Sequence, residues 1–210
     1  MQGLVYKSTG SWYSVADPSG VFWNARIKGK LKLDGEISST NPVAVGDNVL
    51  FDVEDDRVHT GLITGVVDRR NYMVRVSPHN KTQKHIIAAN IDVALIVASV
   101  ADPRTSTGFI DRFLLTAEAY HIPAAIVVNK IDLLKPKHAD ILATWRDIYG
   151  RAGYELFPVV AKDKQTLLQL EARIKHQTTL FSGHSGVGKS TLINQLIPGM
   201  ELKTNVGSGW

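Results

Sequence analysis

The chain has 210 residues, enough for one small and one medium domain. Its 24 Lys and Arg against 20 Asp and Glu give a net charge of +4, which permits nucleic-acid contact without requiring it. There is no cysteine, which excludes disulfides and thiolate metal sites. No apolar run approaches a transmembrane helix in length and Met1-Gln2-Gly3 begins no signal peptide, so a cytoplasmic protein is expected.

Residues 1 to about 80 read as all-β. Val21, Trp23, Ala25 and Ile27 alternate with Phe22, Asn24, Arg26 and Lys28, and Val49, Phe51 and Val53 alternate with Leu50, Asp52 and Glu54. Leu62 to Val67 adds another strand. Breakers at Asp17-Pro18-Ser19-Gly20, Asp34-Gly35, Asn41-Pro42 and Gly46-Asp47 separate them. Short strands between turns predict a small β-barrel, and the five-stranded OB type suits the pattern.

Arg26, Lys28, Lys30 and Lys32 occupy every second position, so on an extended chain they project to one side. Such a line of cations can track a phosphate backbone, and an exposed aromatic among Trp12, Tyr13, Phe22 and Trp23 could stack on a base. The competing reading is a solvated edge strand guarded by lysine. A second basic cluster, Arg69, Arg70, Arg75, Lys81 and Lys84, falls in an expected linker around Ser77-Pro78-His79-Asn80. It reads either as a solvated connector or as a seam where RNA passes between domains.

From about residue 86 strands and helices alternate, the pattern of a parallel α/β sheet with right-handed crossovers. Domains are therefore expected at 1–80 and 81–210. Val93 to Val97 is a strand, Ile110 to Tyr120 a helix, and Ala124 to Val128 a buried-type strand. After it come helices near 138–149 and 165–174, a strand near 156–160 and a short strand from Thr178 to Phe181.

Two motifs carry the chemistry. The Ala124–Val128 strand runs into Asn129-Lys130-Ile131-Asp132, the N-K-x-D pattern whose carboxylate accepts two hydrogen bonds from guanine. Adenine lacks that donor pair, so such a site rejects ATP. The Thr178 strand runs into Gly183-His184-Ser185-Gly186-Val187-Gly188-Lys189-Ser190-Thr191, which fits G-x-x-x-x-G-K-[ST] between a strand and a helix. Glycines let backbone N–H groups turn around an anion, and the helix N-terminus adds partial positive charge. Lys189 is expected to reach the β/γ-phosphates and Ser190 to ligate Mg2+, the two groups assigned to catalysis. Alone the first motif is weak; beside the second it predicts GTP.

The purine box precedes the phosphate loop by 54 residues, the reverse of the usual order, which implies circular permutation. With Met1-Gln2-Gly3-Leu4-Val5, Asn41 to Asp47, His85 to Asp92 and Gly108-Phe109-Ile110-Asp111-Arg112-Phe113, the chain resembles the ribosome small subunit-dependent GTPase A family (RsgA, also YjeQ) from Met1 to about Thr204. The resemblance implies an OB-type barrel followed by a circularly permuted P-loop GTPase domain. It also implies GTP hydrolysis to GDP in late maturation of the small ribosomal subunit, with rRNA held by the barrel, a monomeric chain, and Zn2+ in a carboxy-terminal module of full-length members.

The family places Ser-Ala where this chain has Val160-Ala161-Lys162, which keeps a backbone contact and loses a hydroxyl. The switch threonine, the D-x-P-G box and the zinc module do not follow Leu196, so the chain reads as an incomplete GTPase domain with apolar surface left open. An RNA- and GTP-binding fragment without effective hydrolysis is the alternative, and a generic P-loop ATPase or kinase is disfavoured by the Asn129 box. The seven histidines show no ligand spacing, His184 reads as a bystander, and Asp111, Arg112 and Glu118 read as helix surface charges.

Overall fold

The computed structural model describes residues 1–29, 42–76 and 84–204. The chain forms two compact units, Met1–Ile91 and Asp92–Trp210.

In the first unit, β1 (Gln2–Thr9), β2 (Trp12–Ala16), β3 (Phe22–Ile27), β4 (Asn48–Asp55) and β5 (Thr60–Val66) close a barrel in the order β1-β2-β3-β5-β4. Only β3 and β5 run parallel; the other neighbours are antiparallel. Alternation puts Val5, Tyr13, Val15, Trp23, Ala25, Val49, Phe51 and Ile63 inside as one core. Of the aromatics singled out above, Tyr13 and Trp23 are therefore core, while Trp12 and Phe22 are exposed. A hairpin of β6 (Tyr72–Val76) and β7 (Lys84–Ala89) completes the unit, its base closed by Asn71, whose side chain bonds both the N–H and the C=O of Ile91 at 2.8 Å.

The second basic cluster is not a solvated connector throughout. Arg69 donates Nε to Asp47 Oδ1 and Nη2 to Asp47 Oδ2, both at 2.7 Å, and its side chain is only 11% exposed. Asp47 is fully buried, and a buried carboxylate requires a counter-ion that sequence distance hides. Arg70 bonds Asn90 through its backbone and side chain. Ser77–Asn80 and Lys81 lie outside the described residues.

The described residues of the second unit form four parallel strands in the order β10-β9-β8-β11: β8 (Val93–Ala98), β9 (Ala124–Val128), β10 (Glu155–Pro158) and β11 (Thr179–Ser182). All six residues of β8 are buried, because helices cover both faces of the sheet. Val93, Leu95 and Val97 pack with Leu167 and Leu170 of α3 (Lys164–Ile174) and Leu192 and Leu196 of α4 (Lys189–Leu196). Ile96 and Ala98 pack on the other side with Ile110 and Leu114 of α1 (Thr107–Ala119) and Trp145 and Tyr149 of α2 (Pro136–Arg151). Truncating a fully buried leucine such as Leu192 to alanine would cost about 2–5 kcal/mol.

Ser106 caps α1 by accepting from Phe109 N–H, and Asp163 caps α3 by accepting from Gln165 N–H. Asp111 and Glu118 on α1 accept from the hydroxyls of Tyr149 and Tyr154, so two of the helix surface charges are braces. Beside β11, the edge strand of the described sheet, Phe181, Leu168, Ile193, Ile197 and Met200 line an apolar groove of about 700 Å³.

The chain passes from β8 outward to β9 and β10, then returns to β11 on the opposite side of β8. Loops leaving β8, β9 and β11 thus gather at the strand-order switch, where open parallel sheets bind ligands.

Candidate nucleotide site

The phosphate loop starts where β11 ends, and α4 begins at Lys189. Lys189, Ser190 and Thr191 therefore occupy its first turn. Gly183, Gly186 and Gly188 have φ of +147°, +81° and +93°. A Cβ at Gly183 would land on the Val97 carbonyl at the end of β8, and one at Gly188 on the Asn129 amide. Both positions need glycine for space as well as for backbone conformation. Val187, fully buried, anchors the loop in the core, while His184, Ser185 and Gly186 are exposed.

Lys189 Nζ donates to the carbonyls of Gly183 at 2.8 Å and His184 at 2.6 Å, which curls its side chain into the loop. Burial lowers its pKa below the ordinary lysine value. The His184 ring stacks on Phe109 of α1, with ring centroids 3.9 Å apart and planes 29° apart.

Asn129 ties three loops together. Its N–H donates to Ala98 O at the end of β8 at 2.9 Å. Its side-chain Nδ2 donates to Val187 O in the phosphate loop, and its Oδ1 accepts from Ala161 N–H beyond β10, both at 2.9 Å. The amide is buried, so each bond is made away from competing water. Val160 N–H donates to Thr166 Oγ1. Ala161 N–H is thus committed to Asn129.

Lys130 adopts a left-handed conformation, φ 64° and ψ 36°, and sends Nζ to the Asp102 carbonyl at 2.8 Å. A short 3-10 turn over Ile131–Leu133 follows. Ile131 is half-buried against the α1–α2 core, while Asp132 is exposed and has no hydrogen-bond or ionic partner among the described residues. The β8–α1 segment also approaches the phosphate loop: Pro103 Cγ and Cδ lie 3.6 Å from where a Gly186 Cβ would sit. At its start Ser99 Oγ is buried with no hydrogen-bond partner among the described residues.

The motif residues Asn129 to Asp132 and Gly183 to Thr191 thus lie on loops and helix starts at one end of one sheet. Motif reading did not single out Phe109, Asp102 or Pro103 as part of this arrangement; within Val160-Ala161-Lys162, expected to keep a backbone contact, the Ala161 N–H donates to Asn129. Phe109 stands within a run already conspicuous in the sequence; nothing in the sequence marks Asp102, whose contribution is a backbone carbonyl.

The barrel cations are less free than the alternation suggested. Arg26 bonds Glu54 at 2.6 Å, and Lys28 stands 3.8 Å from Asp52, because β4 lies one strand beyond β5 and carries carboxylates outward. Lys30 and Lys32 lie outside the described residues. On the outer surface Tyr6 and Phe22 meet edge to face with centroids 5.3 Å apart, and Trp12 is also exposed.

A five-stranded barrel followed by a parallel sheet whose purine box precedes its phosphate loop defines a circularly permuted P-loop GTPase fold. The RsgA N-terminal domain matches residues 2–63 and the RsgA GTPase domain residues 66–209. The chain belongs to the RsgA GTPase family. It is 46% identical over 206 residues to a small ribosomal subunit biogenesis GTPase RsgA of Christiangramia forsetii, covering 98% of this chain and 65% of that one. A protein of the same name in Flavobacterium psychrophilum is 46% identical over 205 residues, covering 97% and 63%. The chain thus spans 65% and 63% of the length of these two curated relatives.

Among solved structures, YjeQ from Thermotoga maritima superposes with a TM-score of 0.75 at 28% identity, covering 96% of this chain and 66% of that one. YloQ, described as a circularly permuted GTPase, gives 0.68 at 29% identity, covering 92% and 63%. No helix among the described residues is long and apolar enough to cross a membrane.

Proposed function

We propose that this chain binds GTP and hydrolyses it to GDP and phosphate, as a factor in small ribosomal subunit maturation. The observation that carries the reading is Asn129, which joins the phosphate loop to the purine box, while the Asp132 carboxylate three residues on has no partner among the described residues. An unpaired carboxylate there suits the paired N–H donors of guanine. The relatives' names, small ribosomal subunit biogenesis GTPase, supply the cellular setting.

Lys189 carries its charge on a partly desolvated stem and exchanges the Gly183 and His184 carbonyls for β/γ-phosphate oxygens. Loop amides over residues 183–188 and the α4 N-terminus surround the same oxygens. The Ser190 hydroxyl, on the first turn of α4, would hold a Mg2+ ion. Bound there, the ion would neutralise phosphate charge. Water attacks the γ-phosphate, and the chain's contribution is positioning and charge neutralisation rather than a protein nucleophile.

For the barrel we propose rRNA contact through Arg26 and Lys28, extended by Lys30 and Lys32, with Tyr6, Trp12 and Phe22 as stacking surfaces. The Arg26–Glu54 pair has side chains 51% and 35% exposed, and such surface pairs contribute about 0–1 kcal/mol, so phosphate can displace the carboxylate. The division of labour follows the 1–80 and 81–210 reading, and the protein would act in the cytoplasm as a monomer.

Asp132→Asn tests the nucleotide assignment. Fluorescent GDP should bind at least tenfold more weakly and the xanthosine analogue more tightly, because the amide donates to the 2-oxo group of xanthine. Unchanged guanine preference would overturn the assignment. A single-turnover GTP assay on wild type and Lys189→Ala separates hydrolysis from binding: turnover should occur and be lost in the variant. Binding without turnover in wild type would establish the RNA- and GTP-binding reading instead.

A further inference from the structure

We propose that the groove between the β8–α1 segment and the start of α2 is a second RNA site, taking the phosphate backbone of a single strand. The groove holds about 570 Å³ and lies in the second unit. Arg104 forms one side and Lys135, Lys137 and His138 the other, over apolar Leu133 and Ile141. Arg104, Lys135 and Lys137 are all exposed, and none has an ion-pair partner among the described residues. Asp102 is the one carboxylate residue in the lining. The contrast with the barrel is direct: Arg26 and Lys28 must leave Glu54 and Asp52 before they meet a phosphate, whereas these three cations have no partner to release.

The local chemistry favours an extended polyanion over a small captured anion. A discrete phosphate at a helix start needs several converging N–H groups. Here Pro136 has no N–H, His138 N–H already bonds the Lys135 carbonyl at 2.8 Å, and Lys135 N–H bonds His138 Nδ1 at 3.1 Å. The remaining donors are long side chains, which suit successive phosphates along a strand. Leu133, 56% exposed, and Ile141 offer an apolar floor for ribose or base. An acidic protein segment would meet the cations but would not need that floor.

The groove is also distinguished by its wall. The Asp102 carbonyl accepts Lys130 Nζ, and Pro103 lies against Gly186, so the segment that carries Arg104 touches both nucleotide loops. RNA bound there contacts the nucleotide unit directly, independently of the barrel.

The test is fluorescence anisotropy of a labelled 20-nucleotide oligo(U) with the whole chain, titrated with salt, comparing wild type with R104Q/K135Q/K137Q. The variant should bind about tenfold more weakly at 0.1 M salt and lose about 2 units of log–log salt slope, three phosphate contacts at roughly 0.7 each. K135R/K137R should retain wild-type binding, since the interaction reads charge. The same comparison in an Arg26→Gln, Lys28→Gln background removes the barrel's share. Binding of fluorescent GDP should be equal in all variants, which keeps this proposal separable from the nucleotide assignment. Affinity within twofold of wild type and an unchanged slope would overturn it. So would a triple variant that loses oligo-glutamate binding while keeping oligo(U), since that would make the partner an acidic protein.

Discussion

Arg69 holds the buried Asp47 carboxylate with two parallel hydrogen bonds of 2.7 Å, while Asp47 Oδ2 also accepts from Ala44 N–H at 2.8 Å. The Asp47 carbonyl in turn accepts Val5 N–H from β1, so one residue fastens the turn before β4 to the barrel wall. Removing the guanidinium would leave a buried charge unpaired. Arg69→Ala should therefore lower the stability of the first unit by about 3–5 kcal/mol, read as a shift in its urea midpoint. Arg69→Lys should recover only part, because an ammonium cannot reproduce the fork.

Asn129→Ala removes the side-chain bond to Val187 that joins the phosphate loop to the purine box, together with the one from Ala161 N–H beyond β10. Each orphaned buried group costs about 1–3 kcal/mol, so fluorescent GDP affinity should fall about 10- to 100-fold. Gly188→Ala should act in the same direction by driving a methyl into the Asn129 amide. If Asn129→Ala binds nucleotide within twofold of wild type, the two loops do not act through this brace.

Phe109 supports the phosphate loop through the His184 ring. Aromatic pairs of this kind contribute about 0.5–1.5 kcal/mol beyond area burial, so Phe109→Ala should weaken fluorescent GDP binding by a few-fold up to about tenfold. Phe109→Tyr should leave it unchanged. Equal affinity in Phe109→Ala would show that the stack does not order the loop.

Asp17 accepts from Ser19 Oγ and N–H, Val21 N–H and the Trp23 indole. The Ser19 hydroxyl first, then the indole, lower its pKa from 3.8 to about 2. A depressed folded value means the stabilisation is complete above the unfolded pKa and lost as the folded one is crossed downward. The first unit should lose stability between about pH 4 and pH 2, and Asp17→Asn should flatten that part of the profile. Thermal melts of both proteins across that window check the difference.

Much of this was legible in the sequence because the physics is local. β8 reads as a strand since six consecutive apolar residues suit only a sheet covered on both faces. The barrel strands show in the alternation of Val49 and Phe51 with Leu50 and Asp52, and the phosphate loop in its glycine spacing. What stayed hidden depends on partners far apart in the chain. Asp47 and Arg69 look like ordinary surface charges until folding places them together. Arg26 and Lys28 look like free cations because nothing in β3 announces the carboxylates of β4. Asn129 was recognisable as a motif member, yet its bonds to Val187 and Ala161 exist only once three strand ends converge.

That convergence sets an order of events during synthesis. Val187 follows Asn129 by 58 residues, so at about 5–20 residues per second it leaves the ribosome roughly 3–12 seconds later. Throughout that interval the barrel and the purine box exist while the phosphate cradle does not. Under the proposed function, a nascent chain would meet RNA through its first unit before it could hold a triphosphate. In a protein whose phosphate loop came first, nucleotide could template the sheet from the outset; under the proposed function it would arrive here only after the sheet is largely laid down.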